Sequence, residues 1–201
     1  MNPDVFHITH INNLASIIQQ GGLWSDAECI SRNLTNQNIG YSHIKERRLN
    51  HPVAVANRGS IGHYVPFNFC PRSVMLYVVG RGHQNYNGGQ DEIVHLVTDI
   101  AAVRKVNQSC FFTDIHADLN YSEQIDDFNR LDELPWEAIN ADYWSALKEQ
   151  KQAEFLAFQS VPWTVVKKVG VISQTIANKV IQLLSSVPHK PRVQVEPRWY
   201  Y

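Results

Sequence analysis

The sequence predicts an α+β fold in a single domain that covers residues 1–201. Short β-rich segments and helical segments alternate without the regular βαβ spacing of a doubly wound parallel sheet. The chain of 201 residues, with 44% hydrophobic and 18% charged residues, has the size and balance of one domain with a sizeable core. No internal repeat, low-complexity stretch or linker divides it.

The first 90 residues predict three strands and three helices. Runs of β-branched and aromatic residues predict the strands, which are Val5–Thr9, Val53–Val55 and Tyr64–Pro71, the last ended by its proline. Capping residues before apolar stripes predict the helices, which run from an Asn12 cap to a stop at Gly21-Gly22, over Ser42–Asn50, and over Ser73–Val79 up to Gly80 and Gly82. The remaining segments are predicted as irregular at Leu23–Gly40, a turn at Asn57–Gly62 and a loop at Tyr86–Gln90.

The same signals continue through the rest of the chain. The predicted strands are Glu92–Thr98, a segment around Phe111-Phe112, Gln152–Phe158, Gly170–Ser173 and Arg192–Val195. The predicted helices are one capped by Asp99, then Asp132–Asn140, Val161–Lys168 and the amphipathic Thr175–Ser186. A polar loop is predicted at Asp114–Glu123.

Composition excludes several classes of protein. No apolar run reaches the roughly 20 residues that span a bilayer, and the first residues lack the features of a signal peptide, so we expect a cytoplasmic protein. The net charge of −1 argues against coating long nucleic acids but leaves room for a short local contact. Two basic clusters are interpreted as solvated faces, namely Lys45, Arg47 and Arg48, and Lys190, Arg192 and Arg198.

Cofactor and metal motifs are also missing. The sequence has no GxGxxG and no GxxxxGK[ST], so it supports neither a Rossmann site nor a P-loop. The cysteines Cys29, Cys70 and Cys110 are odd in number and widely spaced, which predicts reduced thiols. His7 and His10 have no third ligand at a recognisable spacing, so we favour a structural hydrogen bond at a helix start for His10.

Glu154 is the most unusual residue of the chain. It lies in the otherwise apolar segment Ala153–Phe158, where a carboxylate is costly unless it is paired or hydrogen-bonded. It is therefore either an edge residue that faces water or a functional group. For Arg47 and Arg48, bidentate phosphate binding and simple surface solubility both remain open.

Four segments that follow one another along the chain resemble one protein family. They are FHITHINNL at 6–14, SHIKERR at 42–48, YVPFNFCPRSVMLY at 64–77 and KQAEFL at 151–156. GGQ at 88–90 and PRWYY at 197–201 fit the same pattern. The chain thus resembles, over nearly its whole length, the DarT family of bacterial toxins that ADP-ribosylate DNA and are paired with an antitoxin called DarG. The likeness is greatest to the branch that modifies thymidine.

The resemblance implies an ADP-ribosyltransferase fold, with two packed β-sheets and NAD in the cleft between them. It implies that Glu154 is the catalytic glutamate and Arg48 the essential arginine near the cofactor and the target base. His7 would hydrogen-bond the adenosine ribose of NAD, and Thr9 would support the nicotinamide amide. The other residues that it implies are Asn13, Leu14 and Met75 for NAD and Arg47, Arg72, His116 and Tyr143 for DNA. It implies no metal.

The expected reaction follows from these roles. ADP-ribose would pass from NAD to thymidine bases of single-stranded DNA in a sequence-specific way, and a DarG-like antitoxin would be the partner. Cleavage of the bond to nicotinamide leaves an oxocarbenium-like centre, which a carboxylate at Glu154 would stabilise before accepting the proton of the base. The alternatives are transfer to another acceptor (guanosine in DNA, RNA, protein or water) and a binding module without turnover, against which the presence of both Arg48 and Glu154 argues.

Overall fold

A computed structural model of the chain describes residues 1–55 and 58–201. These residues contain ten strands and seven α-helices. The strands are β1 Asp4–His10, β2 Gly22–Trp24, β3 Tyr64–Asn68, β4 Ile93–Asp99, β5 Cys110–Thr113, β6 Gln124–Ile125, β7 Glu154–Phe158, β8 Ser160–Pro162, β9 Lys168–Val171 and β10 Arg192–Val195. The helices are α1 Leu14–Gln19, α2 Asp26–Ser31, α3 Ser42–Asn50, α4 Val74–Arg81, α5 Ile100–Val106, α6 Trp136–Asn140 and α7 Gln174–Leu184.

Eight of the strands form one mixed sheet in the order β10-β9-β4-β1-β3-β7-β5-β6. Only the β9–β10 pair is parallel among the described strand pairs. The sheet has two four-stranded halves, because β1 and β3 are joined at a single pair of residues, Phe6 and Asn68. A separate antiparallel pair, β2 and β8, forms a small second sheet. The α+β class predicted from the sequence is thereby confirmed.

Burial explains why the central strands form where they do. Every residue of β4 is buried, which is the pattern of a strand covered on both faces. Several helices begin after a residue whose side chain accepts a hydrogen bond from the first turn, as at Ser73, Ser173 and the predicted Asp99 cap. The largest core cluster includes Val65, Phe67 and residues of β4, β5 and β7 on one side of the sheet.

Several predicted elements of the first half need correction. Leu23–Gly40 is not irregular throughout, because Leu23 pairs with Val161 in the small sheet and Ser25 caps α2. Asn12 does not cap the first helix: the His10 ring accepts a hydrogen bond from the Asn12 N–H, which confirms the structural role expected of His10. Val53–Val55 forms no strand, since only an isolated bridge joins Pro52 to Ser60.

The remaining corrections have similar local causes. Val161–Lys168 is not a helix, because its start belongs to β8 and its end to β9. The predicted helix Asp132–Asn140 is split by Pro135 into a 3-10 turn and α6. Gly80 lies inside α4, and Gly82, at φ +77°, ends it. The predicted turn at Asn57–Gly62 begins outside the described residues, while Ile61–His63 forms a 3-10 turn.

The first basic cluster is a solvated face only in part. Arg48 is buried, which corrects the expectation, whereas Arg47 is exposed and Lys45 is partly exposed. Lys45 and Arg47 form ion pairs with Asp26 and Asp118. Lys190, Arg192 and Arg198 are exposed, as expected. The three cysteines are free thiols. None of the helices in the described part of the chain has the length and apolar character needed to cross a bilayer.

Candidate active site

A cleft of about 330 Å³ opens where the two halves of the large sheet diverge. Its floor comes from β1, β3 and β7, and its sides come from α3, α4 and the segment 34–41 that follows α2. The single Phe6–Asn68 pairing between β1 and β3 is the physical reason for the cleft, because beyond it no ladder of hydrogen bonds holds the two halves together. His7, Thr9, Arg48, Met75 and Glu154 all line it.

Arg48 and Glu154 form a bidentate ion pair in this cleft. Arg48 Nη1 donates to Glu154 Oε1 at 3.1 Å, and Nη2 donates to Oε2 at 2.9 Å. Both side chains are more than nine-tenths buried. A guanidinium and a carboxylate can be buried together because their opposite charges neutralise each other and two parallel hydrogen bonds join them. Glu154 is therefore not an edge residue that faces water.

Close packing holds α3 in the position that this pair requires. Gly62, in the turn before β3, lies directly against Leu49, the residue that follows Arg48. A Cβ at Gly62 would stand 2.8 Å from Leu49 Cα, which is closer than nonbonded carbon atoms approach. The missing side chain thus lets the last turn of α3 sit on the chain that leads into β3, with Arg48 turned towards β7.

The loop 114–123, predicted from sequence, completes the surroundings of Glu154. The main-chain N–H of Ala117 donates to Glu154 Oε1 at 3.2 Å, and His116 Nε2 lies 3.7 Å from the same oxygen. At the start of β7, Thr113 Oγ1 accepts from the Glu154 N–H and donates to Ile115 O. The carboxylate is thus held by α3 and by the loop, while β5 holds the main chain of Glu154.

Electrostatics keeps the Glu154 carboxyl ionised. Burial alone would raise the pKa of Glu154, but the charge and hydrogen bonds of Arg48, with the Ala117 N–H, bring that pKa below its ordinary value. Burial lowers the pKa of His116, so its ring is neutral at neutral pH. The cleft therefore presents a fixed negative charge, a fixed positive charge and a neutral imidazole within a few ångströms.

His7 presents a defined hydrogen-bonding atom to the cleft. Its Nδ1 lies 2.9 Å from the carbonyl oxygen of Pro66, and since a carbonyl only accepts, Nδ1 carries the proton. Burial lowers the pKa of His7, which leaves the ring neutral. Its Nε2 is then an acceptor, suited to a hydroxyl donor such as that of a sugar.

Thr9 and Asn13 connect β1 to the segment that covers the cleft. Asn13 Nδ2 donates to Thr9 Oγ1 and to Gln37 O, both at 3.0 Å, and Asn13 Oδ1 accepts from the Gln37 N–H at 2.7 Å. Asn13 thus anchors segment 34–41 with two hydrogen bonds and binds β1 with the third. Leu14 does not line the cleft, because its side chain is fully buried in the main core.

The side chains expected to contact DNA are placed in different environments. His116 lines the cleft and is partly exposed. Arg47 lies outside the cleft, over the buried Asp118. Arg72 also lies outside it, where it pairs with Asp142 at 2.7 Å and covers the ring of Tyr201. Tyr143 is almost fully exposed on the outer surface.

Some partners of the site carry no signal in the sequence. The Ala117 contact is made by the main chain, which every residue possesses, and Gln37 acts through its own peptide group. Asp118 is one of many acidic residues in polar loops, and nothing in its sequence neighbours indicates burial. Among residues 1–55 and 58–201, no three His, Cys, Asp or Glu side chains lie together in a group that could hold a metal ion.

Comparison with known proteins shows the family. The family model described as "ssDNA thymidine ADP-ribosyltransferase, DarT" matches residues 6–201. The chain belongs to the DarT family. It is an NAD-dependent DNA ADP-ribosyltransferase, and NAD is its co-substrate.

Individual DarT relatives agree with this assignment. The DNA ADP-ribosyl transferase of Thermus aquaticus is 42% identical over 199 residues, which cover 98% of this chain and 88% of that protein. The solved structure of Thermus sp. 2.9 DarT with ADP-ribosylated ssDNA matches with a TM-score of 0.92 and 38% identity, over 98% and 96% of the two chains. The same Thermus DarT with NAD+ matches with a TM-score of 0.86 and 35% identity, over 98% and 97%.

Proposed function

We propose that this DarT chain transfers ADP-ribose from NAD to thymidine bases of single-stranded DNA within a preferred sequence. The observation that carries the proposal is the Arg48–Glu154 pair, buried in the cleft beside His116 and the loop 114–123. A fixed carboxylate with a low pKa is suited to stabilise positive charge on a ribose. Relatives solved with NAD+ and with ADP-ribosylated ssDNA support the same reading.

Glu154 serves as the catalytic residue in this proposal. The Glu154 carboxylate lies where positive charge develops on the ribose as nicotinamide departs, and a preorganised charge of this kind needs no reorganisation during the reaction. The same carboxylate then accepts the proton that the base nitrogen loses. Arg48 orients Glu154 by its two hydrogen bonds. In the proposal its remaining N–H groups donate to a carbonyl of the base.

The remaining cleft residues position the co-substrate. His7 Nε2 accepts a hydrogen bond from a hydroxyl of the adenosine ribose, and Thr9, with Asn13 behind it, supports the nicotinamide amide. Met75, which lines the cleft from α4 and is partly exposed, packs against the nicotinamide ring. His116 contacts the incoming base, next to Glu154.

Replacing His7 by alanine is expected to weaken NAD binding by about tenfold, the usual contribution of one well-placed hydrogen bond. Calorimetry with NAD measures this directly. Because His7 holds no contact with the DNA side of the site in the proposal, oligonucleotide affinity should stay within about twofold, and a thermal melt checks the fold. Unchanged NAD affinity in a folded variant would remove His7 from the binding site.

The cellular role extends the enzymatic one. We propose that the enzyme is the toxin of a toxin–antitoxin pair, neutralised by a DarG-like partner, on the basis of its likeness to toxins of this type. Since NAD and DNA are both present in the bacterial cytoplasm, we place it there. Co-expression with such an antitoxin should restore growth to cells that express the active toxin.

A panel of oligonucleotides tests the proposed reaction. Purified enzyme is incubated with NAD and oligonucleotides that contain one thymidine, the same oligonucleotides without it, and a fully paired duplex, and mass spectrometry detects the added ADP-ribose. We expect modification only of the single-stranded oligonucleotide that contains thymidine. The duplex should not react, since base pairing hides the acceptor nitrogen and unpairing costs a few kcal/mol. Affinity should fall as salt rises, because phosphate contacts release counterions.

Two outcomes would contradict the proposal. Equal modification of an oligonucleotide that lacks thymidine would show a different acceptor, and guanosine would then be tested first. Consumption of NAD without any modified DNA would indicate transfer to water or to another macromolecule.

A further inference from the structure

A second depression lies on the far side of the catalytic loop. It is a groove of about 760 Å³ between the outer face of α3, with the residues just after it, and the loop segment 118–121. Its walls include His43, Glu46, Arg47 and Asn50 on one side and Asp118 and Tyr121 on the other. It is more open than the cleft, and no catalytic contact described above uses it.

The groove and the cleft are built on the same two segments. Arg48 lines the cleft while its neighbour Arg47 lines the groove, and His116 lines the cleft while Asp118 lines the groove. A strand of DNA whose acceptor base meets Glu154 and His116 therefore has the groove beside it. The adjacent nucleotide of that strand is the chemical group in position to enter.

Asp118 is the unusual residue of this groove. Its side chain is almost completely buried, and Arg47 pairs with its Oδ2 atom. Its other oxygen, Oδ1, is buried with no hydrogen-bond partner among the residues that the structure describes. A buried acceptor without a donor is costly, and a ligand that brings a donor relieves that cost. Arg47, which covers the carboxylate, is itself largely exposed, so a phosphate group can reach it.

We propose that this groove reads the base next to the acceptor thymidine, with the Asp118 carboxylate accepting a hydrogen bond from an exocyclic amino group. A carboxylate selects amino groups such as N4 of cytosine and rejects the carbonyl that thymine or uracil carries at the same position. Tyr121, which is 66% exposed, supplies a face on which that base stacks. Arg47, displaced from Asp118, binds the phosphate between the two nucleotides.

The inference rests on the proposed function, since it names the determinant of sequence preference for that reaction. It assigns the amino group as the recognised feature, which cytosine, adenine and guanine share. The base itself is identified by pairs that differ in the amino group: cytosine against uracil, adenine against purine, and guanine against hypoxanthine.

The experiment measures turnover on single-thymidine oligonucleotides that carry either member of each pair at each position next to the thymidine. We expect the wild type to prefer the amino-bearing member of at least one pair by about tenfold at one neighbouring position, the discrimination typical of a good base contact. Asp118→Asn, which is isosteric but presents a donor as well as an acceptor, should reduce that ratio to near one. A thermal melt and calorimetry with NAD establish that the variant is folded.

Two further variants separate base reading from other effects. Glu46→Gln removes an exposed carboxylate from the same groove and should keep the preference. Arg47→Gln keeps Asp118, so it should keep the base preference while reducing the salt dependence of DNA binding. If Asp118→Asn fails to fold, these two measurements on Arg47→Gln test the groove instead. Thymidine modification with equal rates on both members of every pair would overturn the role of the groove and leave the proposed reaction standing. Absence of thymidine modification would overturn both.

Discussion

Replacement of Glu154 by glutamine is expected to lower turnover of a thymidine oligonucleotide by roughly 100- to 1000-fold, the usual cost of removing one preorganised electrostatic group. Glutamine has the shape of glutamate and still accepts a hydrogen bond from Arg48, but it carries no charge to stabilise the ribose cation and cannot accept the proton of the base. Affinity for NAD should change little, because the carboxylate acts mainly in the transition state.

The measurement is single-turnover modification by the purified variant, beside calorimetry with NAD and a thermal melt. Glutamine is a better choice than alanine, since truncation would also leave the buried Arg48 guanidinium without a side-chain hydrogen-bond acceptor. Gln152→Glu provides a matched control, because it places a carboxylate at the cleft two residues away and should not rescue Glu154→Gln. Near-normal turnover by a folded Glu154→Gln would remove the carboxylate from the chemistry.

The second large effect concerns stability as well as activity. Arg48→Ala leaves the Glu154 carboxylate buried and unpaired, which is expected to reduce the free energy of unfolding by about 3–5 kcal/mol. The pKa of Glu154, which Arg48 holds below its ordinary value, should rise, because burial then acts on it with less opposition. Activity should be lost with the orientation of Glu154.

Chemical denaturation at several pH values checks this prediction. In the wild type the pKa of Glu154 is lowered in the folded state, so the stability that its ionisation contributes is complete above the ordinary carboxyl pKa and is lost as the pH falls through the lowered value. In Arg48→Ala the loss of stability at low pH should be smaller than in the wild type, or should become a gain. Arg48→Lys retains the positive charge but cannot form the bidentate pair. It should recover part of the stability but little of the activity. Equal unfolding free energies for wild type and Arg48→Ala would contradict the role of the pair.

Residues with an unusual local environment could be found from sequence, and residues that act through tertiary contacts could not. Glu154 stands out because a carboxylate interrupts an apolar strand, and its burial against Arg48 explains how the interruption is tolerated. Arg48 itself has no such signal. The basic residues near it in the sequence suggest a solvated face, and only the approach of β7 to α3 buries its side chain. The resemblance to DarT, rather than periodicity, pointed to its role.

The errors in secondary structure have a related origin. Val161–Lys168 has apolar residues at helical spacing, yet Val161 pairs with Leu23, about 140 residues earlier in the chain, so long-range pairing overrides local preference. Asn12 has the side chain of a good helix cap, but the ring of His10 already accepts its N–H. Local pattern is least informative where a distant segment supplies the hydrogen-bond partner.

The Arg48–Glu154 ion pair joins residues that are 106 positions apart in the chain. When α3 leaves the ribosome, the nascent chain does not yet contain the partner of Arg48. More than half of the domain must still be synthesised before β7 can contact the helix. Domains fold as units during synthesis, at rates of about 5–20 residues per second. Several seconds of translation thus separate Arg48 from its partner, and on the proposed mechanism the nascent chain cannot modify DNA during that interval.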